Sequence, residues 1–385
     1  MKRLFQLWKK YGISCLVLVI LFGWVSAEIL LPDQAFSQTE NRYLQRLPEF
    51  SLKALLDGSY GKKYEAYLSD QFPVRDQLVA LKTEAELIQG KEDVNGVYIG
   101  KDGYLMERFE REDIETEQME QNLKDLAGFL EEEGERLGKD RVRGMLVPSA
   151  SQILKEKLPF LAAPYDQGLV MEKLRGLLES PEQLVDPETV LNEHREEEIY
   201  YKTDHHWTML GAYYGYRAWA ESIGLEPYEI GDFSRETVTE EFFGTVQAKV
   251  NRKTEPDTME RWSLKKEEGE LQVFYDGSEE AGEMYTQAAL EGRDKYRFYL
   301  DGNHALTEIR NSSGESQGRK LCVVKDSYGN SFAPFAACHF DTVFLIDLRY
   351  FNGNIREFLK EQGVTDLLVL YRIPGFAAEE TIWKL

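Results

Sequence analysis

A serine, an imidazole and a carboxylate are the first chemistry this sequence offers. In Lys325-Asp326-Ser327-Tyr328-Gly329-Asn330-Ser331-Phe332 the serine follows the apolar run Leu321-Cys322-Val323-Val324. A strand ending there and a helix starting there would expose Ser327 at a sheet edge, beside helix N-terminal N–H groups that can stabilise an oxyanion. A plain helix N-cap is the other reading of the same serine. Ser331 lies one helical turn further in and is the poorer nucleophile. A serine nucleophile needs a base, and the chain has 5 histidines. His205 and His206 stand in Tyr200-Tyr201-Lys202-Thr203-Asp204-His205-His206-Trp207-Thr208, ahead of the aromatic-rich stretch 209–219. Asp204 is two residues from His206, and i and i+2 side chains on an extended segment or a loop can converge, whereas adjacent histidines diverge. His206 is therefore the expected base and Asp204 its orienting carboxylate. A helix cap at Thr203 or Asp204, with incidental histidines, is the competing reading. No further ligand at workable spacing accompanies the two histidines, so no metal site is expected.

These residues need a framework, and the sequence shows one. Leu321-Cys322-Val323-Val324, Thr342–Ile346 and Leu367-Leu368-Val369-Leu370-Tyr371 are near-continuous apolar runs, with helix-compatible stretches at 330–337 and 354–362 between them. Val142–Val147 and Gln183-Leu184-Val185 add two shorter strands. Runs apolar on both faces and joined by helical crossovers predict an α/β fold with a buried parallel sheet flanked by helices. Ligands in such sheets bind beyond the carboxyl ends of the strands, which is where Ser327 falls. A helix is expected over 113–137, with Met119, Leu123, Leu126 and Leu130 on one face. Val97-Tyr98-Ile99 and Tyr104-Leu105-Met106 read as a β-hairpin. The stretch 228–299, including Leu271-Gln272-Val273-Phe274-Tyr275, reads as an irregular β-rich insertion covering one end of the sheet.

Composition sets outer limits. The 385 residues carry 46 Lys+Arg against 68 Asp+Glu, with 42% hydrophobic and 12% aromatic content, which excludes disorder for the bulk. The first 31 residues hold Lys2, Arg3, Lys9 and Lys10 against Glu28, so of the net −22 the remainder carries −25. A chain this acidic, without a basic stripe, is a poor nucleic-acid binder. Cys15, Cys322 and Cys338 are too few and too embedded in apolar sequence for a disulfide framework. Residues 11–27 are uncharged and follow four basic residues. That pattern predicts a signal anchor or transmembrane helix over 1–31, with its basic end in the cytoplasm and the rest of the chain outside. Val25-Ser26-Ala27 also fits a cleavage site, which would make the protein secreted. Residues 32–95 read as a membrane-proximal helical stalk, with Leu55, Tyr60, Tyr64, Tyr67 and Leu68 at helical spacing, and 96–385 as the catalytic domain.

Taken together, Thr203-Asp204-His205-His206-Trp207-Thr208, the Ser327 segment and Asp347-Leu348-Arg349-Tyr350 resemble the DHHW protein family. More distantly, the chain is similar to the SGNH-hydrolase-like O-acetyltransferases that modify alginate and other exported polysaccharides. Glu40-Asn41-Arg42, Asp70-Gln71-Phe72-Pro73-Val74-Arg75-Asp76 and Asn95-Gly96-Val97-Tyr98-Ile99-Gly100 also match, extending the likeness over nearly all of the exported part.

The resemblance implies an SGNH-hydrolase-like sheet and carries the acid, base and nucleophile onto Asp204, His206 and Ser327. Backbone N–H groups around Ser327 and Tyr328 would hold the oxyanion. Asn303, in Gly302-Asn303, could take the part of the asparagine that SGNH esterases use, against the alternative of a turn. Arg349 either meets an acyl or sugar oxygen or pairs with Asp347 or another neighbour. The implied activity is an extracytoplasmic O-acetyltransferase that passes an acetyl group through a serine ester to a polysaccharide hydroxyl, with a membrane-bound O-acyltransferase as partner and no cofactor. Tyr201, Trp207, Tyr213, Tyr214 and Tyr328 could offer a stacking surface for sugar rings, with core packing as the competing reading of aromatic residues at helical spacing. A carbohydrate acetylesterase with the same triad and a non-catalytic cell-envelope glycan-binding protein are the alternatives.

Overall fold

The computed structural model describes residues 2–34, 36–37, 42–250, 254–265, 271–292, 294–312 and 318–385. Glu40 and Asn41 of the Glu40-Asn41-Arg42 motif lie outside them. The chain divides into two compact units, Met1–Gln89 with Val250–Arg252, and Gly90–Lys249 with Lys253–Leu385.

The first unit is helical: α1 (Lys2–Leu30), α2 (Ser59–Asp70) and α3 (Arg75–Ile88). Tyr67 of α2 donates to Asp33 at 2.9 Å, and Asp70 accepts from the Gln45 N–H at 2.8 Å. Tyr60 and Tyr64 stack one turn apart, as the helical spacing of the tyrosines predicts. On α1 the side chains of Ile13, Leu16, Val19, Ile20 and Phe22 are exposed. Among the described residues, no helix is long and apolar enough to cross a membrane. The described side chains of α1 stop at Ser26 before resuming at Leu30, so part of the stretch read as an anchor lies outside them.

The second unit starts with the expected hairpin, β1 (Val97–Ile99) and β2 (Leu105–Glu107). The helix predicted over 113–137 is broken: a short turn of helix ends at Ile114, and α4 (Glu117–Leu137) begins afresh after Thr116, whose Oγ1 accepts from the Met119 N–H at 3.1 Å. There follow β3 (Val142–Val147), β4 (Leu184–Val185), α5 (Met209–Ser222), β5 (Phe233–Phe242), β6 (Asp257–Leu264), β7 (Leu271–Tyr275), β8 (Leu306–Asn311), β9 (Lys320–Lys325), α6 (Tyr328–Ala336), β10 (Thr342–Ile346), α7 (Ile355–Glu361) and β11 (Asp366–Arg372).

Seven of these strands form one sheet in the order β7-β8-β10-β9-β11-β3-β4. The run from β10 to β4 is parallel, and β8 joins β10 antiparallel. This is a mixed α/β fold with a parallel-rich sheet, as the apolar runs predict. Strand alternation splits the core. Leu321, Val323, Leu345 and Leu370 pack with α5 and α6 on one face, while Cys322, Val324, Ile346 and Val369 pack with α4 and α7 on the other. Gly144 of β3 lets α4 pack close: a Cβ there would stand 2.8 Å from the Leu130 side chain.

The insertion reading needs correction at one end. β7 is an edge strand of the main sheet, paired with β8 from Leu271↔Asn311 to Tyr275↔Thr307. β8 itself, Leu306-Thr-Glu-Ile-Arg-Asn, alternates apolar and polar residues, the mark of a half-buried antiparallel strand rather than of a central parallel one. Within 228–299, β5 and β6 pair with each other as a separate antiparallel hairpin.

Candidate active site

Ser327 follows β9 and precedes α6, with φ −62 and ψ −17 and no side-chain cap bond, so it does not act as an N-cap through its hydroxyl. Asp326 does the local holding. Its Oδ1 accepts the Tyr328 N–H at 2.9 Å and its Oδ2 accepts the Arg372 N–H at 2.9 Å, tying the turn to the end of β11. α6 starts close against β9 because Gly329 leaves room: a Cβ there would lie 2.7 Å from the Lys325 Cβ.

The other partner is presented by a tight loop. Tyr200 and Trp207 bridge antiparallel, the Tyr201 N–H donates to the His206 carbonyl at 3.2 Å, and Thr208 caps α5 by accepting from the Gly211 N–H at 3.2 Å. The helix cap is thus Thr208, not Thr203 or Asp204, which leaves Asp204 free to face the imidazole. His206 Nδ1 lies 2.5 Å from Asp204 Oδ1, and His206 Nε2 lies 2.7 Å from Ser327 Oγ. The structure therefore brings all three residues into one continuous hydrogen-bonded chain.

Further contacts lock the carboxylate. Asp204 Oδ2 accepts from the Thr245 N–H at 2.8 Å and the Thr245 hydroxyl at 3.0 Å. Gly244 makes this approach possible, since a Cβ there would stand 2.2 Å from the Asp204 Cβ. Thr203, one residue earlier, is clamped by Asp257, which accepts from the Lys202 N–H, the Thr203 N–H and the Thr203 hydroxyl at 2.7, 2.8 and 2.6 Å. Tyr296 lies flat on the imidazole of His206, ring centroids 3.6 Å apart and planes 7° apart.

Burial would raise the Asp204 carboxyl, but the charges of His205 and His206 and the hydrogen bonds from His206 and Thr245 hold it below the usual carboxylate range. His205 is pulled down to about 3, first by burial and then by His206 beside it. Burial pushes Asp257 up to about 6 despite its three hydrogen bonds. Lys325, also buried, is drawn down to about 8.

The remaining expected residues are placed differently. Tyr328 is corrected: its N–H is taken by Asp326, its hydroxyl donates to the His205 carbonyl at 2.5 Å, and its ring is buried, so it offers neither an oxyanion donor nor a ligand surface. Among the described residues, the Ser327 N–H has no hydrogen-bond acceptor. Asn303 is exposed, with its Oδ1 accepting from Lys325 Nζ at 3.1 Å and Asn330 Nδ2 at 3.3 Å. Arg349 pairs with the buried Asp347 through two hydrogen bonds, at 2.8 and 2.6 Å, which is the ion-pair alternative. The aromatic stacking surface is also corrected, because Tyr201, Trp207, Tyr213, Tyr214 and Tyr328 are all buried in the core.

Asp204, His205 and His206 offer ligand-type atoms within 4.8 Å of one another. Both nitrogens of His206 are engaged, however, by Asp204 and by Ser327, and His205 Nδ1 lies 2.8 Å from the Thr245 hydroxyl. The residues that sequence reasoning missed are Tyr296, Gly244, Thr245, Asp257 and Asp326. Only Asp326 lay inside a quoted motif. Tyr296 sits in the aromatic-rich run Lys295-Tyr296-Arg297-Phe298-Tyr299, which is a weak pointer.

The DHHW protein family matches residues 187–346, which hold Asp204, His206 and Ser327. A DHHW family protein from Eubacterium siraeum DSM 15702 is similar in structure, with 24% identity, 76% of this chain and 95% of that one covered, and a TM-score of 0.61. Bacillus cereus PatB1, solved with a sulfonyl adduct, has 18% identity, coverages of 76% and 99%, and a TM-score of 0.60. The O-acetyltransferase domain of Pseudomonas putida AlgJ overlaps with 14% identity, coverages of 74% and 93%, and a TM-score of 0.42. No curated protein matches the chain. The resemblance carried by the Asp204 and Ser327 segments is thus to the DHHW protein family, over residues 187–346 of this chain.

Proposed function

We propose that the protein is an extracytoplasmic serine O-acetyltransferase of the SGNH-like kind, moving an acyl group to hydroxyls of a cell-surface or exported polysaccharide. The observation that carries this reading is the chain Asp204 Oδ1, His206 Nδ1, His206 Nε2, Ser327 Oγ, closed at 2.5 and 2.7 Å. His206 Nε2 accepts the Ser327 proton as Oγ attacks the acyl carbonyl carbon. Asp204 stabilises the imidazolium, whose proton then goes to the leaving group, and the acyl group remains as a serine ester. An acceptor sugar hydroxyl next gives its proton to His206 and takes the acyl carbon, and Ser327 recovers its proton. The Ser327 N–H, without an acceptor among the described residues, is the oxyanion donor in this reading, with Asn303 and Arg349 as candidates for binding around it.

The resemblance to alginate-type acetyltransferases supports transfer over hydrolysis. The exposed apolar side chains of α1 support a membrane anchor with the catalytic unit outside, next to a membrane-bound O-acyltransferase that would supply acyl groups. The test uses purified full-length protein. Phenylmethanesulfonyl fluoride should label Ser327 in the wild type and not in His206→Ala. With p-nitrophenyl acetate, an added oligosaccharide should become acetylated faster than acetate is released. Absence of labelling at Ser327 defeats the enzyme reading, and acetate release without sugar acetylation replaces the transferase by an esterase.

A further inference from the structure

One side chain touches both halves of the site, and it belongs to neither sequence motif. Tyr296 is buried, its ring parallel to the His206 imidazole at 3.6 Å. Its hydroxyl donates to the backbone carbonyl of Ser327 at 3.3 Å and shares a hydrogen bond with Ser331 Oγ at 3.1 Å. Ser331 Oγ in turn accepts from Trp207 Nε1 at 2.9 Å, and Trp207 directly follows His206. The loop that carries the base and the turn that carries the nucleophile are thereby joined twice through Tyr296, once by its ring and once by its hydroxyl. Tyr299 meets the Tyr296 ring edge-to-face at 5.1 Å and so helps to hold it.

We infer that Tyr296 is a positioning residue for acyl transfer: its ring sets the plane of the His206 imidazole and its hydroxyl sets the Ser327 backbone, so that Nε2 and Oγ meet in line. The inference rests on the proposed Ser327 chemistry. It differs from a core-packing role in predicting that ring and hydroxyl make separable contributions. His206 Nδ1 and Nε2 have their partners in Asp204 and Ser327, which fixes two distances but leaves the ring able to tilt about the line through its two nitrogens. A parallel aromatic face removes that freedom. Catalysis is steep in such misorientation, a displacement of about 1 Å costing on the order of 100-fold.

The experiment compares Tyr296→Phe, Tyr296→Leu and Ser331→Ala in the full chain, read by kcat and KM for p-nitrophenyl acetate and by the downfield NMR signal of the proton between His206 Nδ1 and Asp204. Tyr296→Phe keeps the ring and should lower kcat by about three- to tenfold with KM and the NMR signal unchanged. Tyr296→Leu should lower kcat by on the order of 100-fold and broaden or remove the signal. Ser331→Ala should match Tyr296→Phe, and it decides the hydroxyl's part even if Tyr296→Leu fails to fold. The inference is overturned if Tyr296→Leu keeps kcat within twofold with the signal intact, or if Tyr296→Phe and Ser331→Ala both leave kcat unchanged. Failure of the parent reading looks different: the wild type itself would then neither turn over nor label at Ser327.

Discussion

Ser327 stands at the end of a strand with parallel neighbours on both sides, whereas Asp204 and His206 stand on a loop held by side chains from far along the chain. β9 pairs with β10 and β11, and the Asp326 N–H still donates to the Leu370 carbonyl one residue before the nucleophile. The turn is backbone-built, and Asp326 adds one local bond, from the Tyr328 N–H, and one from the Arg372 N–H at the end of β11. The opposing loop draws its hold from Gly244, Thr245 and Asp257, about 40 to 55 residues later, at the end of the β5–β6 hairpin where Phe242 pairs with Asp257. A ladder of backbone hydrogen bonds survives the loss of one side chain. A loop pinned by individual carboxylates and hydroxyls does not, so substitutions at equal distance from the chemistry should have unequal effects on the two sides.

The largest effect is common to both sides. Ser327→Ala and His206→Ala should each reduce turnover by on the order of 1,000-fold or more, with thermal midpoints close to the wild type. Loss of less than tenfold would mean that the chemistry lies elsewhere. Next comes Gly244→Ala, whose new Cβ collides with Asp204. Activity should drop on the order of 100-fold and stability by about 1–3 kcal/mol in urea titration, while Gly176→Ala, where a Cβ meets nothing within 4 Å, should leave both unchanged or slightly improve stability.

Asp257→Asn replaces one of two accepting oxygens and turns an amide toward a backbone N–H. Stability at pH 5 should fall by about 1–3 kcal/mol and the rate by roughly tenfold. Its pH dependence has a definite sign. Asp257 titrates near 6 in the folded chain, above its unfolded value of about 4, so what it contributes is present below pH 4 and lost as pH rises through 6. Asp204 works the other way, contributing above its unfolded value and losing that contribution only as pH falls toward its depressed folded value. Urea midpoints should therefore fall more between pH 4.5 and 7.5 in the wild type than in Asp257→Asn. The smallest effect is expected at Asp326→Asn, less than about fivefold in rate, because the β9–β11 ladder remains. If Asp326→Asn proves as damaging as Asp257→Asn, the contrast between the two supports is wrong.

The same contrast decides what the sequence could reveal. Strands buried on both faces announce themselves as apolar runs, so β9, β10 and β11 are legible, and with them the position of Ser327. Asp204 and His206 are legible as a local pair because both lie within three residues. The supports of that pair are not, since Gly244, Thr245 and Asp257 look like ordinary loop and strand residues until the fold brings them alongside. Tyr296 is hidden for a further reason: an aromatic residue in an aromatic-rich stretch reads as core, and it is core, with the imidazole as one wall. The sugar-stacking reading gives way to core packing on the same grounds, because Tyr213 packs against Phe233, Trp262 and Phe335 while Tyr214 stacks on His194. Tyr328 shows how a sequence position can suggest a donor that is already committed, here to Asp326 two residues before it. The places of β7 and β8 in the main sheet were missed because half-buried antiparallel strands carry half the apolar signal of a central parallel one.

The sheet order carries one more consequence. Among the described residues, β3 and β4 pair with the rest of the sheet only through β11, the last of its strands in sequence order, which slots between β3 and β9. A polypeptide cut short before Asp366 would leave two half-sheets with no backbone bond between them, and the turn around Asp326 would lose its Arg372 tether. The link between the two half-sheets, and the tether on the turn that carries the nucleophile, thus wait on a segment made some 160 residues after the acid and base, although the loop and the turn meet each other through Tyr296, Trp207 and Ser331 without it.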